Sequence, residues 1–358
     1  MSRVKPRGEQ IRSFILNHVQ QNPSAISKLA AEHFGVTRQA VNTHLSRLVS
    51  EGALTETGAT KGKRYELAPM TEWTETFQLG GATVPAEDMI WRTKIAPVLG
   101  PLPDNVQRIW SFGFTEMFNN AVDHSEGSAV TVHIVKTAVS TEMLIADNGV
   151  GIFRKIQRAL SLEDERHAIL ELSKGKLTTD PTRHSGEGIF FTSRAFDAFD
   201  ILSGGVYFSH EFGRDEDWLT EVPEPTNATG IFLRLSNHSS RSLPQVYEQY
   251  TDGPDDYGFS KTVVPVRLAQ YGNDQLISRS QAKRVMARVE LFSRVILNFE
   301  DVPSIGQAFA DEVFRVFALT HPAIRIDAIN TTPEIDRMIA RARQGAEEDR
   351  GPKQPNSD

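Results

Sequence analysis

The chain has 358 residues, no cysteine and a formal net charge of −7, and 39% of its residues are hydrophobic. This length predicts two or three domains, and this hydrophobic content excludes a wholly disordered chain. The lack of cysteine excludes disulfides, thiolate zinc sites and cysteine nucleophiles. The sequence has no signal-peptide pattern and no apolar run of transmembrane length, so we expect a cytoplasmic protein that does not enter a membrane.

Residues 1–68 form a basic segment on an otherwise acidic chain. They carry ten Lys or Arg against five Asp or Glu, whereas the remaining residues have a net charge of −12. Hydrophobic residues at helical spacing predict three short helices, and alternating residues over 54–67 predict a hairpin with a polar tip. This order of elements resembles a winged helix-turn-helix domain.

The resemblance implies that this segment binds DNA. In such domains the third helix here would enter the major groove, and the hairpin would touch the backbone or the minor groove. The exposed positions carry the side-chain types that reach bases and phosphates. The predicted DNA-binding residues are Arg38, Gln39, Asn42, Thr43 and Arg47 on the helix and Lys61, Lys63 and Arg64 on the hairpin. The alternative is a protein-docking module whose charges form a solvated face.

The middle of the chain divides into three segments that differ in composition and in predicted secondary structure. Residues 69–105 are rich in proline and glycine, which predicts a connector with one short helix. Residues 106–239 begin with a long helix over 106–125 and then alternate helix-like and strand-like segments, a pattern typical of α/β or α+β domains. Residues 240–258 are predicted to be a linker.

Three polar motifs follow one another in this middle region. Glu116 and Asn120 are four residues apart and share one face of the long helix. The sequence Asp147-Asn148-Gly149-Val150-Gly151 follows an apolar strand, and Gly186-Glu187-Gly188 precedes a helix. Taken singly, these are ordinary helix polar residues and turn glycines. In this order they resemble the N, G1 and G2 boxes of the GHKL ATPases, the group of gyrase, Hsp90, MutL, histidine kinases and anti-sigma-factor serine kinases.

The resemblance implies an ATP site whose base end lies at the second motif. Asp147 would accept a hydrogen bond from the adenine amino group, and Thr229 would assist. Gly149 and Gly151 would let the backbone approach the base without obstruction by a side chain.

The phosphate end would lie at the other two motifs. Gly186 and Gly188 would expose amides at a helix N-terminus, where phosphate oxygens bind. The resemblance assigns Mg²⁺ to Asn120, activation of the nucleophile to Glu116 and a phosphate contact to Lys176.

The segment 153–184 corresponds to the mobile lid of that family, with Lys174, Lys176 and Arg183 as its candidate phosphate contacts. Gyrase, Hsp90 and MutL relatives complete the site with a basic residue from a following domain, which the sequence does not identify here. Histidine kinases are disfavoured because no histidine occurs between His44 and His124.

Residues 259–343 again alternate strands and helices, which predicts a small α/β sandwich. This unit resembles the STAS-like domain of unknown function that often follows a GHKL domain. It is more distantly similar to the anti-sigma-factor antagonists, in which a phosphorylated serine occupies a strand-to-helix turn. Ser304 is the matching candidate here, and its alternative role is that of a helix N-cap. Residues 344–358 are predicted to be a disordered tail.

We therefore expect a multidomain α/β (α+β) protein: a winged helix, a GHKL α/β sandwich with the Bergerat ATP-binding fold, and a small STAS-like domain. The predicted function is a DNA-binding transcriptional regulator that uses ATP and Mg²⁺ as a switch. The alternative is an ATPase or a serine kinase of the anti-sigma-factor type. The expected partners are DNA, ATP, a protein bound through the STAS-like domain, and a second copy of the chain in a homodimer.

Overall fold

Three β-sheets organise the chain into an N-terminal, a central and a C-terminal unit. The computed structural model describes residues 6–59, 62–80, 86–178, 185–214, 217–253, 256, 258–270 and 275–349. Both helices and sheets occur in every unit, so the mixed α/β architecture expected from the sequence is confirmed. Within these ranges, none of the helices combines the length and hydrophobicity needed to cross a membrane.

The N-terminal unit consists of three helices and a two-stranded antiparallel hairpin. Its elements are α1 Pro6–His18, α2 Ile26–Phe34, α3 Arg38–Ser50, β1 Leu54–Thr57 and β2 Arg64–Leu67. Gly35 ends α2 in the left-handed conformation, and the Thr37 side chain caps α3 by accepting a hydrogen bond from the Ala40 amide at 3.2 Å. Ile15, Val41 and Leu45 are fully buried in a core separate from that of the other units.

The central unit is built on a five-stranded antiparallel sheet with the order β3-β4-β5-β7-β6. Its strands are β3 Thr71–Gln78, β4 Ala129–Lys136, β5 Ser140–Asp147, β6 Ala198–Glu211 and β7 Asp217–Ser236. Val130, Val132 and Ile134 alternate with more exposed residues along β4 and are fully buried. One face of the sheet is therefore covered by helices, as the period of two requires.

The prediction that residues 69–105 are a connector is wrong, because the described parts of this segment, 69–80 and 86–105, belong to the central unit. Strand β3 pairs with β4 along its whole length. It is an edge strand in which only Phe77 is buried, so its polar composition resembles that of a loop. The segment continues with α4 Glu87–Ile90, a π-helical turn Trp91–Ile95 and α5 Ala96–Leu99. Ile90, Ile95 and Leu99 are buried in the core.

Helices α6 to α10 complete the central unit. They are α6 Asp104–His124, α7 Ile152–Leu160, α8 Glu165–Lys174, α9 Gly188–Ala195 and, inside the predicted linker, α10 Leu243–Glu248. The segment 153–184, predicted as a mobile lid, thus contains two helices, and residues 179–184 lie outside the described residues. All the residues of α8 from 167 to 174 are buried, which a solvated lid would not allow.

The C-terminal unit is a three-stranded parallel sheet with helices between its strands. Its elements are β8 Lys261–Pro265, α11 Arg279–Met286, β9 Arg294–Asn298, α12 Gln307–Asp311, a π-helical turn Glu312–Phe317, α13 Ala318–Thr320, β10 Arg325–Ile329 and α14 Pro333–Asp349. Because α14 extends to Asp349, the prediction of a disordered tail from residue 344 is wrong for 344–349, while 350–358 lie outside the described residues. The central and C-terminal units share one core, in which Phe190 of α9 packs on Phe259 with ring centroids 4.6 Å apart.

We predict that Gly113→Ala destabilises the protein by about 1 kcal/mol or more, because overpacking exceeds the gain in helix propensity. A Cβ at Gly113 would lie 2.6 Å from Cζ of Phe196, whose buried ring is fixed against Trp110. Chemical denaturation measures the loss. The control is Gln107→Ala, an exposed position on the same helix that should change the free energy of unfolding by less than about 0.5 kcal/mol. Equal stability of the two variants would contradict this packing.

Candidate functional site

A cavity of about 240 Å³ lies between α6, the end of β5, an inner part of β7, α7 and the start of α9. Residues from all three sequence motifs line it, although they are up to 72 positions apart in the chain. The predicted site residues that line the cavity are Glu116, Asn120, Asp147, Gly186, Gly188 and Thr229. The fold thus gathers the carboxyl, amide and hydroxyl groups that the sequence singled out.

A row of polar side chains on three neighbouring strands closes one end of the cavity. Asp147 pairs with Thr229, and Thr229 pairs with Ser203, in the registers of β5, β7 and β6. The Ile152 amide at the start of α7 donates to both Thr229 Oγ1 and Ser203 Oγ at 3.0 Å. Strand register and these two hydrogen bonds therefore fix Thr229 and Ser203 against the first turn of α7.

Asp147 is a buried carboxyl group with an unusual environment. Only 9% of the residue is exposed, and its Oδ1 accepts a hydrogen bond from the Gly149 amide at 2.8 Å. Burial raises the pKa of Asp147, while hydrogen bonds from Gly149 and Thr229 oppose that shift. The carboxyl group is held in one orientation and is a hydrogen-bond acceptor when ionised.

Gly149 and Gly151 do not line the cavity but shape the loop behind Asp147. A Cβ at Gly149 would lie 2.6 Å from the carbonyl carbon of Ser125, so only glycine fits against α6 there. Gly151 has a φ of +89° and precedes α7 directly. Gly149 therefore lets this loop pack on the end of α6, and Gly151 lets it pack on β6, where a Cβ would lie 2.9 Å from Ser203 Oγ.

At the other end of the cavity, α6 and α9 meet without a side chain between them. A Cβ at Gly188 would collide with the Glu116 carboxylate. Gly186 has a φ of +73°, and a Cβ there would lie 2.5 Å from the Leu177 carbonyl carbon. The first turn of α9 thus approaches the acid on α6 as closely as its backbone permits.

The sequence did not predict two side chains near Glu116, those of Tyr247 and Glu187. The ring of Tyr247 on α10 packs on Phe191 of α9, with centroids 4.2 Å apart. Burial, with the negative charges of Glu116 and Glu187, raises the pKa of Tyr247 to about 12. Burial also raises the pKa of Glu187. Tyr247 lies in the predicted linker, so only the fold could bring it to this acid.

Five further polar residues of the cavity were not predicted, namely His124, Ser125, Lys155, Thr178 and Ser185. The Lys155 ammonium donates to the His124 carbonyl at 2.7 Å and to Glu126 Oε1 at 3.0 Å. Its position four residues after Gly151, in the first turns of α7, was the available signal for this cation.

The structure does not bring the predicted lid lysines into the cavity. Lys174 is fully buried against the C-terminal unit. The Lys176 ammonium donates to the Leu291 carbonyl at 3.0 Å and lies 4.8 Å from the centroid of the Phe292 ring. Arg183 lies outside the described residues.

The predicted DNA-binding residues of α3 share an exposed surface of the N-terminal unit. Arg38, Gln39, Asn42, Thr43 and Arg47 are all exposed. Arg47 also forms an ion pair with Glu51 at 2.9 Å, and Asn42 Oδ1 accepts a hydrogen bond from Ser27 at 2.7 Å.

On the hairpin, Arg64 is exposed, and Lys63 is half-buried and pairs with Glu56 at 2.8 Å. Lys61 lies outside the described residues.

Ser304 is half-buried and does not cap a helix, so that alternative is wrong. The cap of α12 is Gly306, two residues later. Ile305 forms a parallel β-bridge with Leu276, and the Gly306 amide donates to the Leu276 carbonyl at 2.8 Å. These contacts keep the backbone extended past Ser304 and delay the start of the helix.

A family model described as a STAS-like domain of unknown function (DUF4325) matches residues 281–336. The match runs from α11 to the start of α14 and confirms the prediction of a STAS-like domain at the C-terminal end. No curated protein matches the chain.

Proposed function

We propose that the protein is a DNA-binding regulator whose central unit binds ATP and Mg²⁺ in the cavity described above. The observation that carries this proposal is the convergence of three separate motifs on one cavity, with a buried carboxyl group at one end and a helix N-terminus at the other. A nucleoside triphosphate has the matching polarity, with hydrogen-bonding groups on its base and negative charge on its phosphates.

The base end of the cavity favours adenine. Asp147 is held by the Gly149 amide, and its ionised carboxylate can accept the hydrogen bond of an exocyclic amino group. A guanine would instead present a carbonyl oxygen to a carboxylate, which places two acceptors together. Ile145 and Ile231 supply apolar lining for the base beside Asp147.

The phosphate end combines backbone amides with the amide side chain of Asn120. Ser185, Gly186 and Gly188 precede or begin α9, where unsatisfied amides and the helix dipole favour anions. The described residues contain no group of three or more His, Asp or Glu side chains that could hold a metal. We propose that Mg²⁺ takes oxygen ligands from the phosphates and from Asn120, the residue to which the GHKL resemblance assigns it.

We predict that Asp147→Ala raises the Kd for ATP by roughly 5- to 150-fold, because an unpaired buried amino group costs about 1 to 3 kcal/mol. Asp147→Asn keeps the hydrogen-bond acceptor and adds a donor, so it should reduce the ratio of the affinity for ATP to the affinity for GTP. Calorimetric titration with both nucleotides measures these changes. Asp123→Ala, at an exposed position on α6, is the control. Unchanged ATP affinity in Asp147→Ala would contradict the assignment of the base end.

The second candidate function is phosphoryl transfer, favoured by the placement of Glu116 beside the first turn of α9. ATP would supply the transferable phosphoryl group, and the Glu116 carboxylate would orient and deprotonate water or a hydroxyl. Water as acceptor makes the protein an ATPase, and a serine makes it a kinase, with Ser304 as the candidate inside this chain. Intrachain transfer to Ser304 stays a prediction.

We expect Glu116→Gln to bind ATP as wild type does and to lose phosphoryl transfer, because the amide is isosteric but is not a base. Incubation with γ-labelled ATP separates the cases: label on protein indicates a kinase, free phosphate an ATPase, and neither indicates a binding switch. Glu126→Gln, an exposed carboxylate near the cavity mouth, is the control. Full turnover by Glu116→Gln would remove Glu116 from any catalytic role.

The DNA-binding part of the proposal is supported by the exposure of the α3 residues and by the net positive charge of the N-terminal segment. We infer that this unit is a winged helix-turn-helix with α3 as the recognition helix and the β1–β2 hairpin as the wing. The ion pair of Arg47 with Glu51 competes with a phosphate contact, so Arg38 is the better residue to test. Binding as a homodimer to a two-fold site stays a prediction.

We predict that Arg38→Ala weakens DNA binding and lowers the salt dependence by about one unit of slope, as expected for one lost phosphate contact. Titration of duplex fragments at several salt concentrations measures the slope. Arg337→Ala, which removes the same charge from an exposed position on α14, should leave both values unchanged. A salt-independent interaction, or none at low salt, would contradict DNA binding.

A further inference from the structure

Hydrogen bonds from a buried ammonium group hold the C-terminal end of α8 against the STAS-like unit. Lys174 is only 1% exposed. Its Nζ donates to Glu171 Oε1 at 2.7 Å, to the Ala287 carbonyl at 2.8 Å and to the Arg284 carbonyl at 3.0 Å. Ammonium has three donors, and all three are satisfied. Two of the three acceptors belong to the end of α11, in the other unit.

Backbone contacts hold the residues around Lys174 to the same unit. Thr262 of β8 donates to the Lys174 carbonyl at 2.7 Å, and Arg288 donates to the Lys176 carbonyl at 2.7 Å. Gly175 has a φ of +82°, and a Cβ there would lie 2.5 Å from the Phe259 ring. The chain from 174 to 176 therefore cannot move without breaking contacts to the STAS-like unit.

The next residues enter the wall of the cavity. Leu177 and Thr178 line it, and the Leu177 amide donates to the Gly186 carbonyl at 3.0 Å. Close packing of Gly186 on the Leu177 backbone makes the position of one depend on the other. A continuous set of contacts thus joins α11 to the turn before α9.

We propose that Lys174 is a positioning residue through which the STAS-like unit sets the geometry of the phosphate end of the cavity. The identity of the ligand rests on the proposed ATP function, but the positioning itself does not. Because coupling between two sites is reciprocal, ATP binding should strengthen the docking of α11 on α8 by the factor by which docking strengthens ATP binding. Nucleotide occupancy is then communicated to the STAS-like unit.

The test uses the full chain with the double substitution Glu171→Gln and Lys174→Met, which cuts the ammonium contacts without leaving either charge buried alone. Lys283→Met on α11 is the control, because it makes the same change at a side chain that is 70% exposed. Thr262→Val is a second variant that removes a different link by an isosteric change. Thermal unfolding establishes that each variant is folded.

Hydrogen exchange without nucleotide tests the positioning. We expect faster exchange at Leu177 and over 186–188 in the double variant and in Thr262→Val, with β4 and β5 unchanged. ATP titration tests the coupling, with an expected rise in Kd of about 5- to 150-fold. In the wild type, ATP should slow exchange in α11, a response that a purely structural contact would not give.

Each outcome separates the two proposals. Unchanged exchange at Leu177 and 186–188 in folded variants would overturn the positioning role, whether or not ATP binds. Faster exchange with unchanged ATP affinity would overturn the coupling. Faster exchange in a protein whose wild type binds no ATP would support the positioning of this wall and reject the nucleotide as its ligand.

Discussion

The burial of α8 between the central sheet and the STAS-like unit is the constraint on which the rest of the structure depends. Eight consecutive residues of this helix, including Glu171 and Lys174, are buried. A buried charge is tolerated only with a partner and hydrogen bonds. Glu171 on the helix itself is the partner of Lys174, and the STAS-like unit supplies two carbonyl acceptors. Arg288 lies 3.6 Å from Glu171 and contributes to this balance. The two units therefore form one core, and the cavity wall that follows α8 is set by both.

The N-terminal unit is joined to the rest of the protein differently from the STAS-like unit, which shares the core of the central unit. The N-terminal unit has its own hydrophobic core, and its junction with the central sheet includes the hydrogen bond from Met70 to the Lys136 carbonyl at 2.7 Å and packing of Ala138. Because the hydrophobic cores of the two units are separate, the geometry at this junction can change at small free-energy cost. A ligand in the central cavity would act directly on the STAS-like unit, whereas any influence on the DNA binding that we propose would pass through β3 and β4.

The sequence was most informative where the chemistry is local. Glu116 and Asn120 share a helix face by spacing alone, and Asp147 ends an apolar strand, so their approach to one cavity was predictable. Edge strand β3 was missed because polar residues dominate a strand exposed on most of its length. Lys174 was assigned to phosphate because two of its three acceptors are carbonyl groups more than 100 positions later in the chain, which the local sequence does not indicate. Tyr247 was not predicted either, because it lies in the segment that was predicted to be a linker.

A crystal structure of the protein with a non-hydrolysable ATP analogue and Mg²⁺ would show whether the central cavity is a nucleotide site. We expect the base against Asp147 and Thr229, the phosphates at the first turn of α9, and the metal beside Asn120. Density for the nucleotide at another surface, or a cavity that stays empty at saturating analogue concentration, would contradict it.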